Sequence, residues 1–106
     1  MKQRHESLPE AGLDRLAEAM MTMQSADECL TLLRDLTTPA ELEALSDRWR
    51  VVELLRDGLP YREIHDRTGV SVTTVGRVAR FLEMGHGGYR LALERLDPDQ
   101  ATVPGA

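Results

Sequence analysis

YREIHDRTGVSVTTVGRVARFL, residues 61–82, reads as two short helices joined by a sharp turn. Ile64 and Arg67 lie on the first. Gly69 stands where the turn needs a positive φ, which glycine adopts without steric cost. Ser71 is placed to cap the second helix, its hydroxyl accepting from the amide of Thr73 or Thr74. That helix carries Val75, Val78 and Leu82 at helical spacing. Two helices joined this tightly cross steeply and present the second as a rod, the geometry of a helix-turn-helix. A rod of that width enters the major groove of B-DNA.

Working outward, Ile64, Val70, Val75 and Val78 fall where the two helices face each other. Thr73, Thr74, Gly76, Arg77 and Arg80 are left pointing away, short donors and arginines of the kinds that contact phosphates and guanine edges. Two positions fit less well. His65 stands where a small residue would let the helices approach, and we expect it packed between them. Thr68 stands where an apolar residue is usual. The plainer reading is a helical hairpin with a solvated basic face. Glycine, cap and apolar spacing agree on the helix-turn-helix.

A chain of 106 residues supports one domain. Alone it would bury somewhat under ~70% of its unfolded surface, so its core is modest. No run of 18 apolar residues exists, so no membrane span is expected. The start, MKQRHESLPE, is polar without an apolar signal region, and a cytoplasmic protein is expected. The single cysteine, Cys29, sits among Leu30, Leu32 and Leu33 and is expected to be a small buried residue.

The net charge of −5 is unevenly spread. Residues 6–47 hold ten acidic side chains against Arg15 and Arg34. Residues 61–82 hold Arg62, Arg67, Arg77 and Arg80 against Glu63 and Asp66, a local balance of +2. The acidity therefore lies outside the candidate reading head, where it repels DNA and weakens non-specific binding.

No strand alternation occurs, and the chain reads as all helix. A first helix spans about 9–23, with Leu13, Leu16, Ala17 and Met20 on one face. Ser25 and Glu28 form a capping box opening a second helix through Leu36. Thr38 and Glu41 form another, with Pro39 at the first helical position. The third helix, about 39–57, carries Leu42, Leu45, Trp49, Val52 and Leu55, and Gly58 ends it. Trp49, within that stripe, is read as core or dimer interface. Gly85-His86-Gly87-Gly88 is a flexible break before a last helix, 89–96, with Leu91, Leu93 and Leu96. Residues 1–8 are read as a flexible arm and 97–106 as a disordered tail, flanking one helical domain, 9–96.

Leucines at 13, 16, 30, 33, 42, 45, 91, 93 and 96 exceed what one small helical unit needs, which argues for a homodimer. A dimer would place two reading helices about one DNA turn apart, ~34 Å, matching a pseudo-palindrome. Catalysis finds no support. His5, His65 and His86 show no metal-ligand spacing with one another or with Cys29. The glycine cluster at 85–88 follows no strand, so it is not a phosphate loop. No catalytic, metal or enzymatic site is expected.

The order LTTPAELEALSDRWRVVELLRDG, then the 61–82 unit, then a glycine break and GYRLALERL resembles the Trp repressor superfamily, in its YerC/YecD-type branch. The likeness spans about residues 13–96 and rests on Thr38-Pro39, Glu43-Ala44-Leu45, Arg48, Arg50, Thr74 and Arg77. It implies an all-α, six-helix fold that interlocks with a second copy, and operator binding with transcriptional repression. By this resemblance Arg62 matches an arginine presented to a base edge. Ser71, Thr73 and Thr74 would position phosphates or anchor bridging water, beside Gly76, and Arg77 and Arg80 would add charge along the groove.

The resemblance also implies a corepressor pocket. Arg48 and Arg77 match the two arginines that hold the indole of L-tryptophan, and Thr38 the wall at its amino-acid end. Val78, where the family has glycine, and Phe81, where it has a small polar residue, fill the space the indole needs. We therefore expect a regulator without tryptophan, unliganded or answering to another small-molecule effector. An alternative for Arg48 and Arg77 is pairing with carboxylates across the dimer. The alternative function is a helical protein–protein interaction module that keeps the fold and meets its partner through the acidic first helices.

Overall fold

Most helices of the described part of the chain are started or stopped by a short-range signal visible in the sequence. The computed structural model describes residues 9–100; the expected arm, 1–8, and residues 101–106 of the expected tail lie outside them. Within that span are six α-helices and no strand: α1 (Pro9–Met21), α2 (Ala26–Leu36), α3 (Pro39–Arg56), α4 (Tyr61–Thr68), α5 (Val72–Met84) and α6 (Gly88–Leu96). The chain divides into two compact units, Met1–Leu42 and Glu43–Ala106, with α3 beginning in the first and continuing in the second.

In the first unit, Ser25 Oγ accepts from the Glu28 amide at 3.1 Å, and the Glu28 carboxylate accepts from the Gln24 amide at 2.8 Å. The cap of α3 is fully reciprocal: Thr38 Oγ1 accepts from the Glu41 amide (3.1 Å) and Glu41 accepts from the Thr38 amide (2.8 Å). Such caps each stabilise a helix by about 1 kcal/mol. Helix α1 stops at Met21, two residues short of its expected end. No residue of α2 is buried. Cys29 is exposed, contrary to its expected burial. The reason is geometric: α1 and α2 keep large apolar side chains open, among them Leu13, Met20, Met21, Leu30 and Leu36.

The second unit holds the core. Val51 and Val52 of α3, Ile64 of α4, Val75, Val78 and Leu82 of α5, and Leu93 of α6 are buried together. Trp49, Leu54, Leu55, Leu59, Val70 and Tyr89 pack around them, half-buried. Adjacent Val51 and Val52 point about 100° apart on a helix, so α3 is covered on more than one side. Gly58 ends α3 with φ 84°. Its amide donates to Leu55 O and the Leu59 amide donates to Leu54 O, the pair of bonds that satisfies the last carbonyls of a helix.

The chain beyond Leu96 departs from the expected tail. Pro98–Gln100 form a 3-10 turn. Arg56, whose side chain is only 8% exposed, donates to Asp97 at 2.8 Å and to Asp57 at 3.2 Å. The hydrogen bond that Arg56 donates to Asp97 raises the Arg56 pKa above its ordinary value, outweighing burial, which acts the other way. Arg90 Nε donates to Leu82 O at 2.9 Å and ties α6 to the end of α5. Neither contact is visible in the sequence, since each joins residues remote from any local signal.

Asp97→Ala should lower stability by about 2 kcal/mol, the scale of a lost hydrogen bond to a charged group. Urea unfolding checks this, and a change within error would show that the ion pair with Arg56 contributes nothing.

Candidate functional site

Helices α4 and α5 are joined by Gly69-Val70-Ser71. Gly69 takes φ 76°, and its amide donates to His65 O at 2.8 Å. Ser71 accepts from the Thr74 amide at 3.1 Å and caps α5 as expected. Two side chains that fit poorly in the sequence hold the turn. Thr68 Oγ1 donates to Ile64 O (2.7 Å) and accepts from the Val70 amide (3.0 Å). His65 Nδ1 donates to Val70 O at 2.8 Å, since a carbonyl oxygen can only accept. The expectation that His65 packs between the helices is therefore corrected: its side chain is exposed and fixes the turn from outside. Both backbone groups of Val70 are satisfied by side chains, and an apolar residue at 68 could not do this.

The clamp sets which side of α5 is open. Val75 and Val78 face the core at 0% and 2% exposure, as Ile64 does from α4. The opposite side presents Thr73, Arg77 and Arg80, all exposed, with Arg62 exposed near the start of α4. Thr73, Gly76, Arg77, Arg80 and Phe81 line an open cleft of about 520 Å³. Arg67 is drawn off by Glu63, 2.6 Å away one turn back. Among the described residues, Arg62, Arg77 and Arg80 meet no carboxylate within ion-pair distance. Three positive charges thus stand unneutralised on one reading unit of an acidic chain.

The other sequence-singled residues are placed less openly. Ser71 and Thr74 are bonded to each other, hydroxyl to hydroxyl, at 3.0 Å, and Thr74 is half-buried. Gly76 is half-buried too, and a Cβ there would lie 3.7 Å from the Tyr61 ring, an ordinary contact. Tyr61, 44% exposed at the start of α4, is a candidate contact that the sequence reading passed over. Its signal was present, since an amphipathic ring beside Arg62 carries a polar tip.

Arg48 and Arg77 do come together. With Val78, Phe81 and Tyr89 they line a recess of about 180 Å³. Arg77 Cζ lies 5.6 Å from the centre of the Phe81 ring, within cation–π reach. Trp49 is half-buried and its ring lies 6.4 Å from that of Tyr89, which makes it part of the core edge. Thr38 spends its hydroxyl on the cap of α3. No helix among the described residues is long and apolar enough to cross a membrane.

Comparison with known proteins places this arrangement. The profile of the Trp repressor protein family matches residues 11–97. YerC of Bacillus subtilis strain 168, itself uncharacterised, is 36% identical over 84 residues, covering 79% of this chain and 81% of YerC. The crystal structure of a TrpR-like protein from Eubacterium eligens superposes with a TM-score of 0.78 at 34% identity, over 84% of this chain and 92% of that one. A candidate Trp repressor from Staphylococcus aureus gives the same TM-score at 33% identity, over 91% and 96% of the two chains. On the matched family profile, the identity to YerC and the superposed fold, the chain belongs to the Trp repressor family, as a TrpR-like protein of the YerC type.

Proposed function

We propose that this protein is a sequence-specific DNA-binding regulator, a repressor that grips a pseudo-palindromic operator as a homodimer. The observation that carries the proposal is the open face of α5. Its inner side is locked into the core while Thr73, Arg77 and Arg80 stand outward with Arg62 beside them, unpaired with carboxylates. A surface of unneutralised arginines in a chain of net charge −5 is best satisfied by a polyanion. Membership in the Trp repressor family supports the same reading.

The second copy supplies what one chain lacks. Leu13, Met20, Met21, Leu30 and Leu36 are 41–83% exposed, more apolar surface on two short helices than a monomer would leave in water. Burial against a twin stabilises at roughly 25 cal/mol per Å². Leu30→Glu should therefore shift the protein from dimer to monomer in sedimentation analysis. A dimer of undiminished stability would show that α2 takes no part in the interface.

In our reading, L-tryptophan is not required. The recess between Arg48 and Arg77 is about 180 Å³, below the ~300–1,000 Å³ common for ligand cavities, and Val78 and Phe81 form two of its walls. The Phe81 ring lies beside Arg77, where an aromatic ligand would stack. The side chain thus takes the place of the ligand and holds Arg77 on the α5 surface.

Arg62→Ala and Arg77→Ala should each weaken operator binding by about tenfold or more, the worth of one good arginine contact. Their circular dichroism and melting should stay close to those of the parent. Unchanged affinity in both variants would remove the proposed contact face. Absence of any duplex binding at low salt would instead favour the interaction-module reading.

A further inference from the structure

Val72 opens α5 and is 45% exposed, although it is apolar and β-branched. It belongs neither to the core nor to the residues packed against it. Its neighbours along the chain, Ser71 and Thr73, are polar and exposed. One turn further on the same side stands Gly76, at i+4, where an ordinary residue would carry a side chain beside Val72. The protein's own packing does not demand that glycine. Its φ is not positive, and a Cβ there would rest 3.7 Å from the Tyr61 ring without a clash. Glycine within a helix costs about 1 kcal/mol relative to alanine, and here it leaves open a space that the chain's own packing does not use.

The flanking charge says what approaches. Arg77 and Arg80 line the same open cleft as Thr73 and Gly76 and meet no carboxylate among the described residues, so the surface beside Gly76 suits an anionic partner. N-terminal residues of a recognition helix meet base edges in the major groove. The apolar projection in that groove is the 5-methyl group of thymine. We propose that Val72, with the gap left by Gly76, receives a thymine 5-methyl and is a specificity-determining residue of this protein. This rests on the DNA-binding reading above and adds to it the base that α5 selects.

The test replaces thymines of a selected operator duplex, one at a time, by uracil, which lacks only the methyl. With the full chain, uracil at one position in each half-site should weaken binding about fourfold, the worth of one buried methyl. Val72→Ala removes the contact from both half-sites, so it should bind the thymine duplex about 16-fold more weakly and lose nothing further on uracil substitution. Gly76→Ala should melt higher, by about 4–8 °C at fixed concentration, yet bind at least about fourfold more weakly. Indifference of the parent chain to every uracil would overturn the inference while leaving DNA binding intact. So would a Val72→Ala protein as sensitive to uracil as the parent, or a Gly76→Ala protein of unchanged affinity. Failure of the parent chain to bind any duplex would overturn the DNA reading and this contact with it.

Discussion

The two hydrogen bonds on Val70 fix the reading unit. Thr68 satisfies its amide and His65 its carbonyl, while Gly69 turns the chain through the left-handed region between them. With Val70 held at both ends, α5 has one orientation against α4. In that orientation Ile64, Val75 and Val78 close the core, and Thr73, Arg77 and Arg80 stand in solvent. A looser turn would let α5 roll, and the arginines would lose the fixed spacing that recognition of a regular polyanion requires.

Charge placement complements that rigidity. Along the sequence the acidic side chains concentrate in residues 6–47, and on α4 Glu63 engages Arg67 rather than the arginines of the open face. Arg62, Arg77 and Arg80 are thereby left without a carboxylate partner among the described residues. An acidic balance elsewhere in a chain weakens its attraction to any polyanion. Phe81 offers its ring to Arg77 from the same helix, one turn on.

What was legible in the sequence was local. Ser25, Thr38 and Ser71 announce helix starts because a cap joins residues three apart, and Gly58 and Gly69 announce ends because positive φ selects glycine. The apolar spacing of Ile64, Val75 and Val78 located the inner face. His65 and Thr68 were misjudged, because a side chain's backbone partner depends on the coordinates of a turn and not on residue type. Arg56 and Asp97 lie 41 residues apart, so no pattern joins them, and the ordered 3-10 turn after Leu96 was missed with them. Cys29 was expected inside because its neighbours are leucines, yet burial is decided by what covers a helix. The exposure of the candidate arginines was legible by type, since an arginine on an open face is visible in periodicity. Whether a carboxylate neutralises it is visible only in three dimensions.

The measurement that bears most directly on this account is selection of bound duplexes from a random pool at ~0.15 M salt, where non-specific attraction is largely screened. It should be run with and without L-tryptophan. The account predicts an enriched two-fold-symmetric site, with half-sites about one helical turn apart, in both selections. A pool that stays unenriched in both would contradict it, and enrichment only with tryptophan would contradict the role given to Val78 and Phe81.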